Sequence, residues 1–492
     1  MGTGLGLVLG LDVGTQSTKG LLIDANQGLV VARSSKAYGL IEGLAPGAAE
    51  QDPGIWEQAV VDVLKPLIVK AAELKRPIEA LGVSGQQHGC VLLDSDGQSV
   101  RPAKLWCDTQ TASEAAELSQ ALGRPIPTGY TASKILWVAR HEPEAWERTT
   151  QVLLPHDFLN LRLTGEASME AGDASGTGWF DPRERAFDVQ AMNAIDPDLS
   201  AKLPGLTAAG EPAGVVSEAG ARRFGLAAGT LVASGGGDNM MSAIGAGASA
   251  PGTSVVSMGT SGTVFTYADQ PVIDPEGLIA PFCDSSGGWL PLLCVMNLTG
   301  VSEGVVRLSG RDHDDLTAAA AKVAPGCEGL LWLPFLSGER VPDLPGASGT
   351  LLGMRDQHLQ GDMLYRAALE GTSLNLGWGV ERLNRLGVDT SRVHLVGGAA
   401  RNPLWRQILA AVLDAQVHVL AEPEAAALGA GLQAAWTLGR QGAGVAPSLQ
   451  ELSAPFLGGD ASSEEPDREL VQHYAEQAVD YAAALDKYYG VE

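Results

Sequence analysis

Short apolar runs separated by glycine-rich turns open the chain, and farther on they alternate with stretches whose apolar residues return at helical spacing. Leu7 to Asp12, Thr18 to Asp24, and Leu29 to Ala32 after Asn26-Gln27-Gly28 predict an antiparallel meander of three strands. Asp52-Pro53, a capping carboxylate and an N1 proline, then introduces Trp56, Val60, Val63, Leu64 and Leu67, an amphipathic helix interrupted or kinked near Pro66. Ile78 to Ser84 reads as a buried strand. It ends in the polar turn Gly85-Gln86-Gln87-His88-Gly89, at the strand end where open α/β sheets place ligand groups.

A related pattern returns in the second half. Val255 to Tyr267 predicts a hairpin, about Asp362 to Leu386 a long helix, and Val393 to Gly397 a strand. Asn402-Pro403 starts a helix over Leu404 to Leu413, Val417 to Leu420 is a strand, and Glu424 to Trp436 is a helix of small residues suited to close packing. Between the halves, Pro102 to Gly225 is mixed, with a helix at Thr131 to Arg140 and a loop-rich stretch at Asp173 to Pro182. The strand beginning at Leu231 then runs into Gly235-Gly236-Gly237, followed by Asp238 and Asn239. Three glycines permit a tight bend and close approach of a ligand, and they suit a hinge. Ser448 to Pro466 reads as loop, and the stripe Val471, Tyr474, Ala475, Ala478, Ala482, Leu485 as a helix used for packing. The expectation is an α/β protein of two domains, residues 1–246 and 247–492.

Composition narrows the function. A chain of 492 residues with 45% apolar residues can bury two sizeable cores. Its 33 basic against 58 acidic residues give a net charge of −25, which opposes general attraction to nucleic acid or anionic membrane, so a phosphorylated ligand must be held by local donors. Five cysteines without a CxxC pair suggest neither a disulfide framework nor a thiolate zinc site, and the histidines lack metal-ligand spacing. With no signal peptide and no stretch apolar enough to span a bilayer, a soluble cytoplasmic protein is expected.

Candidate chemistry centres on Asp12-Val13-Gly14-Thr15-Gln16-Ser17-Thr18-Lys19-Gly20 and its echo from Ser257 to Phe265. Each reads as strand, Gly-Thr turn, strand, a hairpin whose tip offers backbone N–H groups and hydroxyls to an anion. The first adds a carboxylate, Asp12, and a cation, Lys19; together they suit a nucleotide polyphosphate with Mg²⁺. No GxxxxGK[ST] loop occurs. An ordinary hairpin turn contains the same letters, and the repetition in the second half is what favours two related halves facing one polyphosphate.

The runs DVGTQSTKG, GYTASKILWVARH from Gly129 to His141, GGGDN from Gly235 to Asn239, MGTSG from Met258 to Gly262 and VGGAARN from Val396 to Asn402 resemble the FGGY carbohydrate kinases, in family order over nearly the whole chain. A second family signature, around Gly349 to Glu370, fits except that Met363 stands where a polar residue is usual. The resemblance implies two ribonuclease-H-like domains of the actin, sugar kinase and heat-shock chaperone type with a ligand cleft between them. The first domain would bind sugar and carry the base, and the second would bind nucleotide. Phrases such as GQQHG, RPAKLWCDT, DASGTGWFD and LPFLSGERVP are most similar to members that phosphorylate D-xylulose. Glycerol kinases tend to carry Arg-Glu in place of Gln87-His88 and an aromatic in place of Gly129, which implies a substrate larger than a triol.

By that resemblance Asp238 is the catalytic base, Asp12 orients Mg²⁺, and Asp12 and Asp238 are the metal-facing carboxylates. Gln87, His88, Trp106, Asp238 and Asn239 would contact the sugar. Thr15, Gln16, Ser17, Lys19, Gly259 and Thr260 would meet the ATP phosphates, and Gly300, Gly397, Gly398 and Asn402 the adenosine. Bland readings stand beside these: Asp238 as a helix cap, Asp12 as acceptor for its own turn, Lys19 as a solvated strand charge, Trp106 as core, and Gly397-Gly398 as a tight turn. Another FGGY substrate, such as ribulose, gluconate or a polyol, and a non-kinase ATP-gated module are the alternatives. A homodimer is common in the family.

Overall fold

The apolar runs pair into two mixed sheets of seven strands each, described here in a computed structural model for residues 5–442, 446–457 and 463–491. In the first sheet Leu7–Val13, Ser17–Asp24 and Leu29–Ala37 form the antiparallel meander. Ile78–Gly85 lies parallel to the first of them and Leu231–Ala233 parallel to Ile78–Gly85. The second sheet repeats the plan: Ser254–Met258, Gly262–Thr266 and Trp289–Val295 are antiparallel neighbours, and Arg392–Val396 and Gln416–Val419 continue in parallel on the other side. One backbone plan is thus built twice, as the paired hairpins imply, and both Gly-Thr tips lie at corresponding ends of their sheets.

Alternation explains the first sheet's burial, since Leu7, Leu9, Leu11 and Val13 face one core with Trp56, Val60, Val63 and Leu67 of the helix Pro53–Glu73. That helix runs unbroken through Pro66. The other face of the same sheet receives Ala425–Gln441, a helix that belongs by sequence to the second half. Approach is backbone to backbone, because a Cβ on Gly10 or Gly82 would overlap the carbonyl oxygens of Ala427 and Ala430. Small residues along this helix therefore join the halves at the base of the cleft.

Ser448 to Pro466 departs from the expected loop. Leu449–Leu457 is a helix whose Leu449, Leu452 and Phe456 pack into the core around the helix Ala425–Gln441, while residues 458–462 lie outside the described part of the chain. Its start was written in the sequence as a capping box: Glu451 accepts from the Ser448 amide at 2.7 Å and Ser448 Oγ from the Glu451 amide at 3.2 Å. No helix among the described residues is long and apolar enough to cross a membrane.

Candidate active site

Gly236–Gly237 adds to the end of Ile78–Gly85, Gly236 opposite Ser84 and Gly237 opposite Gly85, which sets the Gln86-Gln87-His88 turn beside Asp238. The Gly235 amide donates to Gln433 Oε1 at 2.9 Å and its carbonyl accepts from Gln433 Nε2 at 3.0 Å, which fastens the first glycine of the turn to the helix Ala425–Gln441.

Asp238 opens the helix Asp238–Gly245 as its first residue, with Gly237 as the cap. Its Oδ1 accepts from the Asn239 amide at 2.8 Å and from Asn239 Nδ2 at 3.3 Å. Burial, then the charges of Asp12 and Asp173, push the Asp238 carboxyl up to about 8. Asn239 Nδ2 donates to Gln87 Oε1 at 2.6 Å, and Thr263 Oγ1 of the second hairpin donates to Asn239 Oδ1 at 3.2 Å, which ties the two halves together beside Asp238. Asp12 accepts from Ser84 Oγ at 2.8 Å, and burial raises its carboxyl despite Ser84 and Lys19.

His88 sits at φ 62°, a conformation that non-glycine residues adopt rarely, with its ring against Tyr130 and Phe282 at centroid distances of 5.1 and 5.9 Å. Burial, then the nearby charges of Lys134 and Arg340, lowers its imidazole to about 3, so it is neutral. His88 Nδ1 and Gln87 Nε2 are buried without a hydrogen-bond partner among the described residues. Unpaired polar atoms on one wall are the arrangement that a hydroxyl-rich ligand satisfies.

Trp106 is 39% exposed and donates from Nε1 to Thr15 Oγ1 at 3.0 Å, while Thr15 Oγ1 donates to Gln86 Oε1 at 3.0 Å. It therefore spans the first hairpin and the polar turn instead of entering the core. A Cβ on Gly129 would stand 3.1 Å from the Trp106 carbonyl oxygen, so the small residue there keeps this wall recessed. Gln16 is exposed and Ser17 half-buried at the same hairpin tip. Lys19 is taken by Glu424 at 2.6 Å, an ion pair from the first sheet to the start of the helix Ala425–Gln441.

The second hairpin tip rests on the start of the helix Thr299–Ser309, where the Thr299 amide donates to the Gly259 carbonyl at 3.1 Å and the Gly300 amide to the Thr260 carbonyl at 3.3 Å. Gly397, at φ 96°, has space for a Cβ only 2.7 Å from the Met258 carbonyl oxygen. Gly259, Thr260, Gly300, Gly397 and Gly398 thus share one corner, and Gly259, Thr260, Gly397 and Gly398 are exposed. Asn402 stands slightly apart: Oδ1 caps the next helix through the Trp405 amide at 3.1 Å, and Nδ2 donates to Thr317 Oγ1 at 2.9 Å. Its side chain is spent on structure.

Sequence reasoning missed the support beneath the Gln86-Gln87-His88 turn. His156 is fully buried, with Nδ1 2.9 Å from Asp173 Oδ2 and Nε2 3.0 Å from Asp157 Oδ1. The two carboxylates outweigh the desolvation that opposes its charge and raise it well above the ordinary histidine range. The His88 amide near Asp173 lowers that carboxyl against the burial that raises it, so this buried group underlies the turn. The DASG and PHD phrases carried the residues, but only contact pairs them.

The family model described as the FGGY family of carbohydrate kinases, N-terminal domain, matches residues 7–245, and that of the C-terminal domain matches residues 254–438. The chain is 36% identical to a xylulose kinase of Haemophilus influenzae over 98% of this chain and 100% of that one. It is 37% identical to a xylulose kinase of Streptomyces rubiginosus over 98% of each. Among solved structures it is similar to a xylulose kinase from Rhodospirillum rubrum, with TM-score 0.88, 27% identity and 98% of each chain covered. A gluconate kinase from Lactobacillus acidophilus superposes with TM-score 0.89 at 25% identity over 99% of each.

Proposed function

The chain belongs to the FGGY family of carbohydrate kinases, and from that premise we propose that it transfers the γ-phosphoryl group of ATP to D-xylulose, at the 5-hydroxyl. The observation that carries the reading is Asp238 bonded to Asn239, which holds Gln87 beside the neutral His88 imidazole, with His88 Nδ1 and Gln87 Nε2 unpartnered among the described residues. A loose phosphoryl-transfer transition state asks mainly for alignment and for a carboxylate to accept the hydroxyl proton. Asp238 is that base. Asn239, Gln87 and His88 orient the polyol, and Trp106 lines its entrance.

Thr15, Gln16, Ser17, Gly259 and Thr260 hold the phosphates, with Lys19 shared between them and Glu424, and Gly300, Gly397 and Gly398 admit the nucleoside, with Asn402 shaping that corner as a cap. The donor set fits a polyphosphate in kind, since both tips carry hydroxyls and backbone amides. Asp12 and Asp238 feel each other's charge, and two hard carboxylates suit Mg²⁺ held through water. When bound, Mg²⁺ would neutralise charge on the phosphates. The first half, residues 1–246, carries sugar and base in this reading, and the second, residues 247–492, the nucleotide.

Sugar-dependent ADP release over a panel of D-xylulose, D-ribulose, gluconate and polyols tests the assignment. D-Xylulose should give the highest kcat/KM. Preference for gluconate would favour the reading suggested by the similar gluconate kinase, and nucleotide turnover indifferent to sugar would overturn the kinase itself.

A further inference from the structure

Among the described residues, the first half's cations acting on the sugar-side wall are committed: Lys19 is engaged by Glu424, and the fully buried Lys134, whose charge His88 feels, donates to the Gly129 and Tyr130 carbonyls, while Asp12, Asp173 and Asp238 are carboxylates and His88 is held neutral. Yet a phosphoryl group arriving on a sugar hydroxyl brings two negative charges to this wall.

The second lobe offers an arginine there. Glu339 is 3% exposed, and its carboxylate accepts from the Met296 amide at 2.6 Å, Asn297 Nδ2 at 3.0 Å, Asn375 Nδ2 at 3.3 Å and the Arg340 amide at 2.8 Å. Asn297 Nδ2 also donates to the Gly338 carbonyl at 2.6 Å. These bonds fasten the backbone of 338–340 to the end of the strand Trp289–Val295. Along that strand Val295 pairs with Gly262 at the tip of the second hairpin, and Cys294 pairs with Thr263, whose hydroxyl bonds Asn239. The backbone of Arg340 is consequently fastened beside the tip of the second hairpin, whose Thr263 bonds Asn239. Its charge acts on the Cys294 thiol and on the His88 and Tyr130 rings. The residue is exposed, and among the described residues its guanidinium has no carboxylate partner, since the neighbouring Glu339 is turned inward.

We propose that Arg340 is a catalytic residue that grips the phosphoryl group as it passes to the sugar and holds it on the product. This rests on the kinase reading above. In the step, the bond from the γ-phosphorus to the β,γ-bridging oxygen breaks with its electron pair leaving on ADP. A bond to the sugar oxygen forms, and the hydroxyl proton goes to the Asp238 carboxylate. A planar guanidinium matches two phosphoryl oxygens at once, a match that a neutral ketose cannot offer.

Steady-state kinetics of Arg340→Gln and Arg340→Lys, with calorimetric binding of D-xylulose 5-phosphate and ATP, test it. Arg340→Gln should lower kcat by about 10² or more and weaken D-xylulose 5-phosphate binding at least ~10-fold, with sugar KM and ATP affinity changed less than ~3-fold. The lysine variant should recover only part of kcat, because a point charge lacks the fork. A raised sugar KM with unchanged kcat would make Arg340 a sugar contact and overturn the proposal, as would unchanged kinetics. Wild-type protein inert toward every sugar would instead overturn the kinase reading underneath.

Discussion

Replacing Gly176 by alanine tests the sugar wall through a single methyl group. Gly176 has no positive φ, so the backbone accepts alanine, but a Cβ there would overlap Cε1 and Nδ1 of the His88 ring. Ordinary contact requires 3.4–4 Å, and the ring is already closed in by Tyr130 and Phe282. The imidazole must therefore retreat by more than ~1 Å or rotate away. A displacement of that size at a positioning group costs on the order of 10²-fold in rate. Gly176→Ala should lower kcat/KM for D-xylulose by about that factor, while ATP binding, measured by calorimetry without sugar, stays normal because both Gly-Thr tips lie elsewhere. Circular dichroism and a thermal melt show whether the fold is intact. Near-normal kcat/KM in a folded Gly176→Ala protein would refute the placement of His88 against the sugar.

Asp238→Asn keeps the shape of the side chain and removes the proton acceptor, so turnover should fall by at least ~10² with ATP affinity retained; near-normal turnover would remove Asp238 from the mechanism. Because the free carboxyl lies at about 8 and acts only when deprotonated, kcat/KM should decline as pH drops below that value. A pH profile flat from 6 to 9 contradicts this. Glu424→Gln should release Lys19 for phosphate and tighten ATP binding by up to ~5-fold, the size of a half-exposed ion pair. The same change in a Lys19→Met background should do nothing, and an equal effect there would separate Glu424 from Lys19.

Local patterning was enough for the paired hairpins, the capped helix at Pro53, the polar turn after Ile78–Gly85 and the carboxylate after three glycines, since turn chemistry and side-chain period act over a few residues. The helix Leu449–Leu457 was legible in the same terms through Ser448 and Glu451, although its proline and polar surroundings read as loop. Motifs in family order carried the fold class and the chemistry. Other features required folding. Lys19 meets Glu424 across 405 positions, Gln433 bonds both backbone groups of Gly235, and Asn402 spends its side chain on a helix start. The ionisation of Asp238, His88 and His156 belongs to this second group. Composition supplies the titratable groups, but desolvation and neighbouring charge decide their state, and both exist only once distant segments have packed together.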